Sequence, residues 1–114
     1  MTRFLLCVWL MLGLVQACQQ DDEVPCPERI QEKIKELARA PKQSPVAEVW
    51  QYDYRGQQVY LISGACCDQY HFLYDACLNI VCAPSGGVQG RGDGKCPDFQ
   101  ANATNPVLVW RDPR

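Results

Sequence analysis

The chain is predicted to fold as an α+β domain, with one N-terminal helix packed on a four- to five-stranded, mostly antiparallel sheet stapled by disulfides. Three observations predict this class. An apolar stripe at helical spacing occupies residues 27–39, strand-like segments rich in aromatic and β-branched residues follow it, and six cysteines are spread over residues 26–114. A helix with one apolar stripe must bury it, and a sheet offers the matching surface.

Residues 27–39 carry Ile30, Ile34 and Leu37 at i, i+4 and i+7, a narrow stripe suited to packing on a sheet. Pro27 suits the first turn, where its missing N–H is not needed, and Glu28 suits the positive end of the helix dipole. Glu32 with Lys35 and Glu36 with Arg39 are spaced to pair on the solvated side. Pro41 and Pro45 end the helix, and Cys26 sits four residues before Ile30, at the start of the same buried face.

Residues 46–54 have high β-propensity through Val49, Trp50, Tyr52 and Tyr54. Arg55-Gly56 reads as a tight turn, and residues 58–63 run back as the second strand of a hairpin. Further strands are expected at 70–74, 80–83 and 107–110. Residues 85–95 hold five of the eight glycines and read as a loop. The chain has neither internal repeats nor low-complexity stretches.

Eight cysteines in 114 residues indicate an oxidising compartment. Cys26, Cys66, Cys67, Cys77, Cys82 and Cys96 are available for three disulfides, each worth roughly 2–4 kcal/mol. The pairing is not fixed by spacing. Cys66 and Cys67 are adjacent and, if extended, point to opposite faces, so they are expected to bond different partners. Cys26 is expected to join one of that adjacent pair.

The N-terminus has its own logic. Residues 4–15 form a twelve-residue apolar run behind Arg3, short of the roughly 20 residues of a membrane span, and read as a signal peptide over residues 1–17. Leu14-Val15-Gln16-Ala17-Cys18 has the lipobox pattern of bacterial lipoproteins, in which the cysteine is acylated and becomes the mature N-terminus. Gln16 is bulkier than the usual occupant of its position. The plainer alternative is an ordinary cleaved signal with Cys18 as a disulfide partner. Gln19, Gln20, Asp21, Asp22 and Glu23 follow directly and resemble a surface-export tag, which must sit at this position; a solvated acidic tether is the alternative. Residues 18–25 reach at most roughly 29 Å when extended, so the domain at 26–114 is expected close to its membrane.

Charge excludes one class of partner. Eleven Lys and Arg against thirteen Asp and Glu give −2, or −3 once Arg3 leaves with the signal, and no basic cluster exists to hold nucleic acid.

Several blocks are distinctive: Cys66-Cys67-Asp68-Gln69-Tyr70, Leu73-Tyr74-Asp75, and Ile80-Val81-Cys82-Ala83-Pro84-Ser85-Gly86-Gly87. They continue through Gly90-Arg91-Gly92-Asp93-Gly94-Lys95-Cys96-Pro97-Asp98-Phe99 to Val109-Trp110-Arg111-Asp112. Together with Val59-Tyr60 they resemble small Bacteroidetes lipoproteins carrying the uncharacterised DUF6970-type domain. The resemblance covers nearly all of residues 25–114 and implies a single-domain lipoprotein. It implies no catalytic residue.

Chemistry-bearing residues each have a structural reading beside the functional one. Cys66-Cys67 with His71, Cys77 and Cys82 could bind zinc or copper(I) or act as thiols, yet no C-x₂-C pair occurs and disulfides are the simpler use. The single His, among aromatics, reads as a strand side chain rather than half of a Cys–His nucleophile. Asp93 and Asp98 could hold calcium, but EF-hand spacing is absent. Arg91-Gly92-Asp93 is too short a match to imply integrin binding. Asn102-Ala103-Thr104 fits a glycosylation sequon that a bacterium leaves idle. Gly86-Gly87 precedes no helix and is not a nucleotide motif. Trp50, Tyr52 and Tyr54 share one strand face: turned outward they would make a platform for a protein or glycan partner, turned inward they are core.

The expected function is therefore that of a non-enzymatic binding or structural lipoprotein, held by its N-terminal lipid in the outer membrane at the cell surface. The periplasmic face is the alternative location. No metal or cofactor and no nucleic acid is expected. A small inhibitor of secreted enzymes and a metal- or thiol-active envelope protein are the competing readings.

Overall fold

The computed structural model describes residues 24–66 and 68–114, and only the backbone of Pro27. The expected signal peptide over residues 1–17, Cys18, the expected tag at residues 19–23 and Cys67 lie outside the described residues. The elements are α1 (Cys26–Arg39), β1 (Glu48–Tyr54), β2 (Gln57–Ile62), β3 (Tyr70–Tyr74), β4 (Ile80–Gly86), α2 (Phe99–Asn102) and β5 (Thr104–Arg111). The sheet order is β4-β3-β2-β1-β5, with every neighbouring pair antiparallel.

The helix begins one residue earlier than its spacing predicts, with Pro25 in the cap position and Glu28 in the first turn. Lys35 pairs with Glu32 as expected, whereas Glu36 is taken by Lys33 rather than by Arg39. Arg55 and Gly56 both have positive φ (51° and 76°), as a type I′ hairpin turn requires, and they close β1 on β2 at the Tyr54–Gln57 pair. β4 runs on to Gly86, three residues past its expected end. β5 starts at Thr104; Pro106 is tolerated because this is an edge strand.

Strand register separates the side chains onto two faces. Val49 opposes Ile62, and Tyr60 opposes Tyr74, on the face that receives Ile30, Ile34 and Leu37 of α1. Tyr52 opposes Val59, and Leu61 opposes Leu73, on the other face. Because β4 and β5 lie at opposite edges, the chain between them must cross the sheet. The crossover lays Cys96 and Phe99 over Tyr54, Val59, Leu73 and Cys82, all of them buried. The sheet is thus covered on both faces, by α1 on one and by the α2 crossover on part of the other. Sequence patterning alone did not foresee this second layer.

Two disulfides join described residues. Cys26–Cys77 fastens the start of α1 to the β3–β4 turn, and Cys82–Cys96 fastens the crossover to β4. The expected bond from Cys26 to Cys66 or Cys67 is not formed. α1 begins beside the β3–β4 turn, so Cys77 is the cysteine within reach, with a Cα separation of 4.2 Å, whereas Cys66 lies in the loop at the other end of β3. Cys66 is itself disulfide-bonded.

Candidate functional site

The two ends of the sheet differ. At one end α1 starts, Arg29 donates to the carbonyls of Val24 and Cys77 (3.0 and 3.1 Å), and Asp75 holds the β3–β4 turn through the backbone N–H groups of Cys77 and Asn79. At the other end lies the β2–β3 loop. There Gln43 donates to the Ser63 carbonyl (3.0 Å), and the Cys66 N–H donates to that of Ser44 (2.9 Å). Clefts open around this loop on both faces of the sheet.

On the helix face, α1 leaves part of β3 uncovered. Tyr70, Phe72 and Tyr74 project to this face from alternate positions, with neighbouring rings edge to face at 5.7 and 6.3 Å. Tyr70 is exposed, and Phe72 and Tyr74 are half-buried. Together with Lys33 and Leu37 of α1 and with Gln43, Asp68 and Gln69 at the rim, they line a cleft of about 400 Å³. Because Gln43 spends its amide N–H on Ser63, its carbonyl oxygen is left to accept. The arrangement combines apolar ring surface with a few convergent donors and acceptors, the usual make-up of a small-ligand site.

On the opposite face, the crossover stops short of the β2–β3 end and leaves a second cleft, of about 240 Å³. Trp50, Tyr52, Leu61, Ser63, His71 and Ser85 line it. The Trp50 indole N–H donates to Glu48, whose carboxylate also receives Arg111 at 2.8 Å. His71 accepts the Gly64 N–H at Nδ1 (2.8 Å), which puts the proton of the neutral ring on Nε2 and ties the loop to β3.

The expected surface of Trp50, Tyr52 and Tyr54 is divided by the crossover. Tyr54 is only 1% exposed, so it is core and not ligand surface. Its ring and that of Tyr52 both meet Phe99 edge-on, at 5.3 and 5.1 Å. Trp50 and the outer side of Tyr52 remain at the smaller cleft. The trio on β3 has the same alternation as the trio on β1. Choosing between them required knowing how far α1 and the crossover each extend.

The cysteine constellation is dispersed. Cys77 and Cys82 sit in separate disulfides, Cys66 is disulfide-bonded, and His71 points its Nδ1 at a backbone N–H. Among the described residues no group of three or more His, Cys, Asp or Glu is placed to hold a metal ion. Asp93 caps the turn at Lys95 through its backbone N–H. Asp98 instead accepts the Tyr54 hydroxyl, which holds its carboxyl below the usual carboxylate range, with Asn102 and Arg55 adding to the effect. The two aspartates are therefore separately occupied. Gly92, between Arg91 and Asp93, is pressed against the backbone of β4: a Cβ there would lie 2.0 Å from the Ala83 carbonyl oxygen.

Among the described residues no helix is long and apolar enough to cross a membrane. No curated protein and no solved structure matches the chain. The family model described as "Domain of unknown function (DUF6970)" matches residues 35–112.

Proposed function

The chain belongs to this DUF6970 family, whose description assigns no activity, and we propose that it is a lipid-anchored, non-enzymatic binding module of the bacterial cell envelope, displayed at the surface. The lipobox ending at Cys18 and the acidic residues that follow support the anchor and the display. The disulfides support an oxidising compartment. One observation carries the binding role: the partly uncovered Tyr70–Phe72–Tyr74 row, rimmed by Gln43, Asp68 and Gln69. Ring faces pack on the C–H faces of sugars, and planar amides and carboxylates bond their hydroxyls, so the ligand is a neutral oligosaccharide.

Two measurements test this. Mass spectrometry of the mature protein should find acyl chains on a Cys18 N-terminus; an unmodified cysteine there sinks the anchor. In a ¹⁵N–¹H titration of the mature domain with neutral envelope oligosaccharides, shifts should gather at Gln69, Tyr70, Phe72 and Tyr74. Tyr70→Ala should weaken binding roughly tenfold, the scale of about 1.4 kcal/mol. Shifts confined to β5, or none at all, would refute the cleft.

A second reading rests on Val88. It is 86% exposed at the tip of a loop whose base is bonded to Gln69, Gly86 and Ala83. A rigid loop presenting one apolar side chain suits an inhibitor of secreted enzymes. Inhibition of a secreted-protease panel, lost in Val88→Asp, would favour that reading over glycan binding.

A further inference from the structure

The position of Val24 sets which way a tethered domain faces. Arg29 bonds the carbonyls of both Val24 and Cys77, and Cys26 is linked to Cys77, so the chain leaves the fold at the β3–β4 turn. The Val88 loop and the cleft's rim at Gln43, Asp68, Gln69 and Tyr70 lie at the other end of the sheet, and the cleft runs back from there beside Lys33 and Leu37 in the second half of α1. That helix has 14 residues and is about 21 Å long. The segment from Cys18 to Pro25 reaches at most roughly 29 Å. To bring the cleft end onto the lipid, the segment would have to run back along the domain for most of its possible length. With the β3–β4 end down, it has no such constraint. Exposed apolar side chains stand at both ends, Val24 at 38% and Ile80 at 59% here and Tyr70 at 41% and Val88 at 86% at the other. Either set can enter the interface, so the short segment and its exit point decide between the two poses.

We infer that the β3–β4 end, with Val24 and Ile80, is the surface that rests on the lipid bilayer, and that the cleft and the Val88 loop are presented away from it. This rests on the anchored reading proposed above. Ligand would then reach the cleft from outside the membrane without crossing the headgroup layer.

The test uses the full chain matured in a lipoprotein-processing bacterium and reconstituted on phosphatidylcholine vesicles with nitroxide-labelled headgroups. A fluorescent amino acid is incorporated at position 80 or 88, both well exposed. Position 80 should be quenched at least about threefold more than position 88. Equal quenching, or stronger quenching at 88, would overturn the orientation while vesicle flotation showed the anchor intact. Failure to float would instead remove the anchor and the orientation with it. A long Gly/Ser insertion ahead of Val24 should shrink the difference; a difference that survives it would overturn the tether as the cause.

Discussion

Tyr54 donates its phenolic hydroxyl to the Asp98 carboxylate across 2.5 Å and 44 residues of chain. Arg55 completes the contact, its guanidinium 4.8 Å over the Tyr54 ring and 3.1 Å from the same carboxylate. This bond fastens the α2 crossover to the β1–β2 hairpin, and it is why the lower part of that face is core.

The latch should make folding sensitive at both ends of the pH scale. Asp98 has a depressed pKa in the folded state, first through the Tyr54 hydroxyl. Its contribution is complete above its unfolded value near 3.8 and is lost as pH falls through the lower folded value. Tyr54 is raised above 10.0, first by burial and then by its bond to Asp98. Its contribution is complete below 10.0 and is lost as pH rises through the folded value. Urea midpoints measured across pH should fall at both extremes, and Tyr54→Phe should flatten both limbs. Unchanged limbs in that variant would show the latch to be energetically silent.

The disulfides should differ in what their removal exposes. Cys82–Cys96 closes a 14-residue separation and Cys26–Cys77 a separation of 51. Loop entropy alone gives about 3 kcal/mol for the first and about 4 kcal/mol for the second. Cys82 and Cys96 are also buried beside Tyr54, Leu73 and Phe99. The double replacement of Cys82 and Cys96 by Ser should therefore cost more than its loop entropy and release the crossover. Raised amide exchange across residues 87–103 would report that release; protection there equal to wild type would contradict it.

Two glycines in one loop separate steric from conformational cost. A Cβ at Gly92 would meet Ala83 O at 2.0 Å and Pro84 C at 2.7 Å, whereas one at Gly94 meets nothing within 4 Å. Both have positive φ, 74° and 78°. Gly94→Ala should cost about 1 kcal/mol from the left-handed conformation alone. Gly92→Ala must also displace the loop from β4, and its thermal midpoint should fall by several times as much. Equal midpoints would mean that the loop is not pressed on β4 in solution.

Leu73 is fully buried at the centre of the crossover cluster. Leu73→Ala should destabilise the domain by about 2–5 kcal/mol. Phe72→Ala, one position away on the half-buried cleft side, should cost much less stability and act on ligand binding instead. Parallel chemical denaturation of the two variants checks the alternation of faces on β3.

The C-terminus is also fastened. Arg114 pairs with the buried Asp112 at 2.7 Å and reaches the Leu37 carbonyl at 3.2 Å. Removing Arg114 takes away the hydrogen-bonded cation of Asp112 and leaves the weaker influence of Lys42, so the truncated chain should melt at a lower temperature. An unchanged midpoint would show that water satisfies Asp112 equally well.

Much of this molecule is legible locally. The helical stripe at Ile30, Ile34 and Leu37, the Arg55-Gly56 turn and the period-two strands follow from local stereochemistry, which a sequence records residue by residue. They determined the α+β class, the hairpin and the antiparallel character of the sheet. Cysteine content likewise determined that the domain is stapled. What the tertiary structure decided depends on contacts between distant segments: that Cys26 meets Cys77, that Phe99 crosses the sheet onto Tyr54, and that α1 leaves Tyr70, Phe72 and Tyr74 partly uncovered. Alternation puts Trp50, Tyr52 and Tyr54 on one face and the β3 aromatics on one face just as surely. It does not say which row a helix or a crossover will cover, because coverage is set by where a chain segment packs in space, and period-two patterning is the same whether a face is core or cleft.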